Sequence, residues 1–184
     1  IETDRLILRP FIENDVADAF EYLHEPMVHC FGDMGGNTLV EAKSAVLERA
    51  EDGEYYCAIV LKENVKVIGE IFAHPEGDEH HGENCDTFSP CWMLNSAYHG
   101  KGYAYEAAKA YFDFLFNEKG ARRLYAYTED YNVASQKLCE KLGMRQEGFY
   151  LEFISFVNDD NGNPIYENTY EYAILKKEWE QNKK

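Results

Sequence analysis

The stretch Tyr98-His99-Gly100-Lys101-Gly102-Tyr103-Ala104 runs without a break into residues 105–116, whose pattern is helical. Apolar residues that include Ala107 and Leu115 fall on one helical stripe, and polar residues that include Glu106 fall on the other. Glycines at such a junction let the backbone approach a ligand closely. The first turn of a helix also has N–H groups without intrahelical partners and a partial positive charge. The stretch therefore predicts a seat for a phosphate or a pyrophosphate.

On both sides of this stretch, β-rich runs and helical segments mix without strict alternation, which predicts an α+β fold with a mixed sheet. Predicted strands cover residues 5–10, 55–61, 65–73, 88–94, 123–128, 148–157 and 166–175, and predicted helices cover 14–23, 38–50, 105–116 and 132–142. Pro90 suggests an edge, a bulge or a bend in its strand, and we expect a surface loop at residues 75–84. Without repeats or linkers, residues 1–184 are expected to form one domain.

Composition restricts the class of protein. The chain has 184 residues, 45% of them hydrophobic, which is enough for a folded core. We expect no membrane association, because no apolar run approaches the roughly 20 residues that cross a bilayer. No signal peptide is evident, although Ile1 indicates a trimmed start. The five cysteines have irregular spacing, so we expect free thiols and a cytoplasmic protein.

The net charge of −16 argues against nucleic acid as a partner, because nucleic acid requires a basic surface. The same charge is compatible with a cationic or amine substrate. A polyanionic ligand would need a local positive site, which the turn at Gly100–Ala104 can provide. His74, His80, His81 and Cys85 fit no standard zinc spacing, so we expect no metal.

Several short motifs, taken together and in this order, resemble the GNAT superfamily of acyl-CoA-dependent N-acetyltransferases. The resemblance is strongest to the ribosomal-protein-alanine N-acetyltransferase branch and covers nearly the whole chain. Its motifs are Thr3–Pro10, Ile68-Gly69, Gly100–Ala104 with Glu106-Ala107, Asn132–Ser135, Leu142–Met144, Glu147-Gly148 and Tyr172–Trp179. Each motif alone is weak, and their order and spacing make the signal.

The resemblance implies a mostly antiparallel mixed sheet with helices on both faces and with splayed fourth and fifth strands. It also implies acetyl-CoA as the acyl donor, with its pantetheine arm paired to strand backbone and its pyrophosphate on the glycine turn. The coenzyme-binding residues implied in this way are Trp92, Met93, Leu94, Asn95, His99, Gly100, Lys101, Gly102, Tyr103, Ala104, Asn132 and Ser135. Lys101 could equally be a surface charge, and Asn132 could act only as a helix N-cap.

The implied reaction is the direct attack of a primary amine on the thioester in a ternary complex. The amine could belong to a protein N-terminus or to a small molecule, and it must lose a proton to a base. Many relatives carry a glutamate where Ser89 stands and an arginine or glutamine where His99 stands. Glu152 is therefore the candidate base, although it could simply face solvent.

Ser135 is the candidate acid for the departing thiolate, with Tyr131 as the alternative. Ser135 could instead serve only to cap its helix. Phe31, Tyr150 and Phe153 could line the acceptor cleft.

Two other classes of function compete with this one. The missing strand-four glutamate is compatible with a sensor or interaction module that binds acyl-CoA without turnover. A dinucleotide-binding oxidoreductase fits poorly, because the turn lacks the third spaced glycine and the acidic residue about 20 residues further on. The sequence leaves the acceptor amine open and allows a homodimer.

Overall fold

The computed structural model describes residues 1–32, 34, 36–76 and 85–182, which belong to two compact units. The first unit contains Ile1–Ala73 and Cys91–Phe114, and the second contains His74–Pro90 and Leu115–Lys184. The strands are β1 (Leu6–Arg9), β2 (Tyr56–Leu61), β3 (Val67–Glu76), β4 (Thr87–Leu94), β5 (Arg123–Glu129), β6 (Arg145–Asn158) and β7 (Pro164–Leu175). The helices are α1 (Val16–Leu23), α2 (Leu39–Glu51), α3 (Tyr103–Asn117), α4 (Val133–Lys141) and α5 (Lys176–Asn182).

The seven strands have the order β1-β2-β3-β4-β5-β7-β6 in a sheet that is mostly antiparallel. The exception is the parallel pair β4 and β5, whose ladder consists of Thr87 opposite Arg123 and Phe88 opposite Leu124. This arrangement confirms the predicted α+β fold class, and the short ladder agrees with strands that diverge. Of the edge, bulge or bend that Pro90 suggested, the edge is excluded, because β4 is an interior strand. Pro90, which has no N–H to donate, lies two residues beyond Phe88, the last residue of β4 that pairs with β5.

A buried ion pair lies at the centre of the first unit. Glu70 on β3 is fully buried and accepts hydrogen bonds from Arg49 Nε at 3.1 Å, Tyr56 Oη at 2.8 Å and Tyr22 Oη at 3.1 Å. Apolar side chains from α1, β2 and β3 surround these groups, among them Leu23 and Phe72. Burial raises the pKa of both tyrosines, so they remain neutral donors. Removing one member of such a pair typically costs about 3–5 kcal/mol, since the other is left buried and uncompensated.

Helix α2 begins with a capping box. Thr38 accepts a hydrogen bond from the Glu41 N–H at 3.2 Å, while Glu41 accepts one from the Thr38 N–H at 3.0 Å. At α1, by contrast, Asp15 makes no capping hydrogen bond. Its carboxylate pairs with Arg9 at 2.7 Å instead.

The second unit contains two features that the sequence pattern did not predict. Strand β3 continues through Pro75 to Glu76, although we expected a loop to begin at Pro75. Helix α5 follows β7 directly, and its buried Trp179 lies 6.0 Å from the ring of Phe116. No helix within the described ranges is long and apolar enough to span a membrane. All five cysteines are free thiols, as predicted.

Candidate functional site

The glycine turn of the first unit has the backbone conformation that its sequence predicts. Gly100 and Gly102 have φ angles of +73° and +81°, in the left-handed region that side chains rarely adopt. The Glu106 N–H then donates to Gly102 O at 3.1 Å, which makes Gly102 the residue before the first helical turn of α3. The N–H groups of Tyr103 and Ala104 consequently have no acceptor within the helix. This end of the helix suits an anion.

Arg5, which directly precedes β1 and was not among the predicted site residues, supports this turn. Its Nη1 donates to Lys101 O at 3.0 Å, its Nε donates to Glu106 Oε2 at 2.7 Å, and its guanidinium lies 4.4 Å from the centre of the Tyr103 ring. Thr3 Oγ1 donates to Glu106 Oε1 at 2.6 Å. The motif at Thr3–Pro10 therefore holds the turn, which gives a physical reason for its place in the resemblance.

The polar residues around the turn also make local contacts. Lys101 Nζ donates to Ala97 O at 3.2 Å and lies 5.0 Å from the centre of the Tyr98 ring. His99 Nε2 lies 2.9 Å from Leu94 O. Since a carbonyl oxygen only accepts, this contact requires the tautomer with the proton on Nε2. His99 thereby connects the turn to the end of β4.

The end of β4, where Trp92, Met93, Leu94 and Asn95 are predicted to meet the coenzyme, packs tightly on β3. The Asn95 N–H donates to Ile68 O at 2.8 Å, and a Cβ at Gly69 would lie 2.3 Å from Met93 O. Any side chain at position 69 would therefore displace β4. Gly69 belongs to the resemblance as Ile68-Gly69, and this close approach explains why a glycine stands there.

In the second unit, Asn132 and Ser135 are neighbours at the start of α4. Asn132 Oδ1 accepts a hydrogen bond from the Ser135 N–H at 3.2 Å, so the predicted N-cap is confirmed. Gln136 Nε2 donates to Glu129 O at 3.1 Å and fixes the preceding loop to the helix. Tyr131 Oη lies 3.3 Å from a carboxylate oxygen of Glu167, which is buried.

Glu152 lies in a bulge of β6. Tyr150 is opposite Thr169 and Ile154 is opposite Glu167, so three residues of β6 face Asn168 alone. The exposed Glu152 has a φ of +48°, a conformation that costs about 1–3 kcal/mol for a residue other than glycine. Its N–H donates to Asn168 Oδ1 at 3.0 Å.

Asn168 joins two of the predicted site segments. Its Nδ2 donates to Asp130 Oδ2 at 2.9 Å, and the Asp130 N–H donates to Asn168 O at 3.0 Å. Asn168 thereby connects the Glu152 bulge with the loop that carries Tyr131 and Asn132. A lone asparagine in a strand carries no sequence signal for such a role.

Ser89, near the start of β4, interacts with a tyrosine that also binds a carboxylate we did not predict. Tyr125 donates a hydrogen bond to Glu76 and also interacts with Ser89. Burial, reinforced by Glu76, raises the pKa of Tyr125 above its ordinary value. Glu76 was missed because it was assigned to a loop.

Taken unit by unit, the structure brings together two groups of predicted residues. The first unit contains Trp92–Asn95 and His99–Ala104, and the second contains Tyr131, Asn132, Ser135 and Glu152. Within the described residues, no group of three or more His, Cys, Asp or Glu side chains could hold a metal. His80 and His81 lie outside those residues.

A family model described as an acetyltransferase (GNAT) domain matches residues 5–145. The chain belongs to the GNAT acetyltransferase family. This GNAT chain is 32% identical over 179 residues to the uncharacterized N-acetyltransferase YnaD of Bacillus subtilis (strain 168), which covers 97% of this chain and 98% of that protein. The predicted family is thus confirmed.

Solved structures agree with the GNAT assignment. The crystal structure of a GNAT-family acetyltransferase from Bacillus anthracis has a TM-score of 0.81 and 29% identity, with 97% of this chain and 99% of that chain covered. The ribosomal-protein-S5-alanine acetyltransferase from Vibrio fischeri has a TM-score of 0.73 and 20% identity, with 97% of each chain covered. At 20% identity, the second comparison shows that the two proteins share a fold.

Proposed function

We propose that this GNAT chain transfers the acetyl group of acetyl-CoA to a primary amine by direct attack in a ternary complex. The observation that carries the proposal is the turn at Gly100–Ala104, which has two left-handed glycines, is supported by Arg5 and leads into the open end of α3. Family membership supports the reaction type. The five free thiols support a reducing compartment, and we place the enzyme in the cytoplasm.

The coenzyme is held in this proposal by backbone groups rather than by a set of charges. The amides of pantetheine pair with the backbone of Trp92–Asn95, and the pyrophosphate sits on the N–H groups of the turn. Arg5 and Lys101 add positive charge next to that anion, which offsets the repulsion expected from a net charge of −16. His99 holds the end of β4 in register with the turn.

The chemical step requires a neutral amine, because an ammonium group has no lone pair for attack. In the proposal, Glu152 takes the proton, directly or through water. The amine nitrogen forms a bond to the carbonyl carbon, and a backbone N–H near Leu94 stabilises the oxyanion. The C–S bond then breaks, and the thiolate takes a proton from Ser135 or, alternatively, from Tyr131. Asn132 and Ser135 approach the thioester by analogy with the family.

The test is to incubate the chain with acetyl-CoA and a panel of amines and to follow thiol release. The panel includes aliphatic monoamines, diamines and peptides with free N-termini. We expect release that saturates in both substrates and acetylated amine in equal amount by mass spectrometry. Coenzyme binding without release on any amine would favour the sensor function, and no coenzyme binding would reject both functions.

A further inference from the structure

Three aromatic side chains of the second unit form an exposed cluster, and none of them is among the residues proposed to bind the coenzyme. The ring centre of Tyr127 lies 6.4 Å from that of Tyr150, with the planes at 72°, and 5.5 Å from that of Phe153. The rings of Tyr150 and Phe153 lie 5.0 Å apart. These residues are 48%, 37% and 46% exposed, respectively. The cluster thus presents two nearly perpendicular aromatic walls to solvent.

The bulge of β6 creates this cluster. In a regular strand, residues three apart point to opposite faces of the sheet. The extra residues around Glu152 break that alternation, and Phe153 comes to lie against Tyr150. Gly148 provides the room, because a Cβ there would lie 2.8 Å from the Tyr150 ring. The strained conformation of Glu152 therefore has a structural consequence, which is to bring these rings together.

A carboxylate lies between the two tyrosines. Glu171 on β7 is directly opposite Tyr127 on β5 and opposite Gly148 on β6. Its Oε2 accepts a hydrogen bond from Tyr150 Oη at 2.6 Å, and its side chain is only 15% exposed. Arg123 lies 3.2 Å from the other oxygen and balances part of the charge.

A second carboxylate lies nearby. Tyr125, whose ring centre is 5.5 Å from that of Tyr127, donates a hydrogen bond to Glu76. Burial, together with the charges of Glu171 and Glu76, raises the pKa of Tyr127. Two carboxylates thus lie around the Tyr127 ring, with Arg123 as the neighbouring positive charge. An aromatic face in a negative field attracts cations and disfavours anions.

We propose that Tyr127, Tyr150 and Phe153, with the carboxylates of Glu171 and Glu76, bind a second positive charge on the acceptor. The acceptor class is then an aliphatic amine with another ammonium group along its chain. This inference rests on the proposed acetyl transfer and names its substrate class. The ring faces hold the ammonium group by cation–π attraction, and the carboxylates supply the longer-range field. The free amine at the other end of the chain remains available for acetylation.

The test compares cadaverine with n-pentylamine, which has the same chain length but a single nitrogen. We expect the wild-type chain to favour cadaverine in kcat/KM by about tenfold, a value between those of exposed and desolvated cation–π contacts. Tyr127→Leu should lose that preference by lowering kcat/KM for cadaverine much more than for n-pentylamine, whereas Tyr127→Phe should keep it. Gly148→Ala should weaken the preference by pushing the Tyr150 ring aside. Tyr166→Leu is the control, since Tyr166 is exposed on β7 with no part in the cluster.

Calorimetric titration of both amines into the same variants separates this inference from the proposed reaction. Tighter binding of cadaverine that Tyr127→Leu abolishes would support the site, even when no thiol is released. In that case the proposed function would fail and the binding site would stand. Equal binding of the two amines, or equal losses for both in Tyr127→Leu, would overturn the inference whatever the turnover.

Discussion

Arg5 and Glu106 form an ion pair of 2.6 Å between residues that lie 101 positions apart in the chain. The pair connects the residue before β1 to the first turn of α3, which begins directly after Gly102. The same guanidinium reaches Lys101 O and the face of Tyr103. One side chain thus fixes the backbone before the helix and the carboxylate within its first turn.

Arg5→Leu should weaken coenzyme binding much more than it affects kcat. The turn would lose its hydrogen bond at Lys101 O, and the coenzyme phosphates would lose a nearby positive charge. We expect the KM for acetyl-CoA to rise roughly tenfold, in the range of one charge-assisted contact, as steady-state kinetics would show. Arg122→Leu is the control, because Arg122 forms a comparable exposed ion pair with Asp86. Equal effects of the two variants would contradict this role.

The pH dependence of stability should contain a contribution from Glu106. Burial alone would raise its pKa, but hydrogen bonds from Thr3 and Arg5 outweigh burial and hold the pKa below the ordinary value of 4.5. The carboxylate therefore stabilises the fold above the unfolded pKa, and this stabilisation is lost as the pH falls through the folded pKa. Between about pH 6 and about pH 3, urea denaturation should show a smaller loss of stability for Glu106→Gln than for the wild type. Parallel losses in the two proteins would contradict the shift.

Ser135→Ala tests the proposed acid. The backbone N–H that donates to Asn132 remains in this variant, so the cap of α4 should survive. We expect kcat to fall by roughly a hundredfold, the lower end for a general acid, with the coenzyme KM unchanged. Thermal denaturation serves as the control for folding. An unaffected kcat would transfer the role to Tyr131, whose substitution by Phe would be the next variant.

Glu152→Gln tests the proposed base without changing the length of the side chain or the strained backbone. The rising limb of the pH–rate profile should flatten, because the variant has no carboxylate to accept the proton. Glu63→Gln, in the exposed turn between β2 and β3, is the matched control. A wild-type profile in Glu152→Gln would assign proton removal to water or to another group. Glu152→Gly should in addition raise stability by up to about 1 kcal/mol, since glycine accepts a positive φ without strain.

Much of the fold follows from local patterns in the sequence. Three features depend only on residues close in sequence and are therefore recognisable there. They are the capping box at Thr38, the cap at Asn132 and the glycines at 100 and 102. The features that were missed depend on contacts between distant residues. Nothing near Arg5 in the sequence indicates a bond to Glu106, and nothing near Asn168 indicates bonds to Asp130 and Glu152.

The bulge at Glu152 was missed for a related reason. In the sequence alone, β6 looks like an ordinary strand with exposed apolar residues. The bulge becomes visible only from the pairing of β6 with β7, because that pairing sets the register. The end of β3 was predicted wrongly because proline is a strong turn signal. In the structure, Pro75 nevertheless lies within the strand. The role of Glu76 was hidden by that error.

The most direct test of the whole account is a calorimetric titration of acetyl-CoA into the wild type, Gly102→Asn and Gly102→Asp. Asparagine and aspartate have the same size and both tolerate a left-handed backbone, so the two variants differ only in charge. We expect one saturable site per chain in the wild type, similar binding in Gly102→Asn and a severe loss in Gly102→Asp. Equal affinities of the two variants, or no heat with the wild type, would contradict a pyrophosphate seat at this turn.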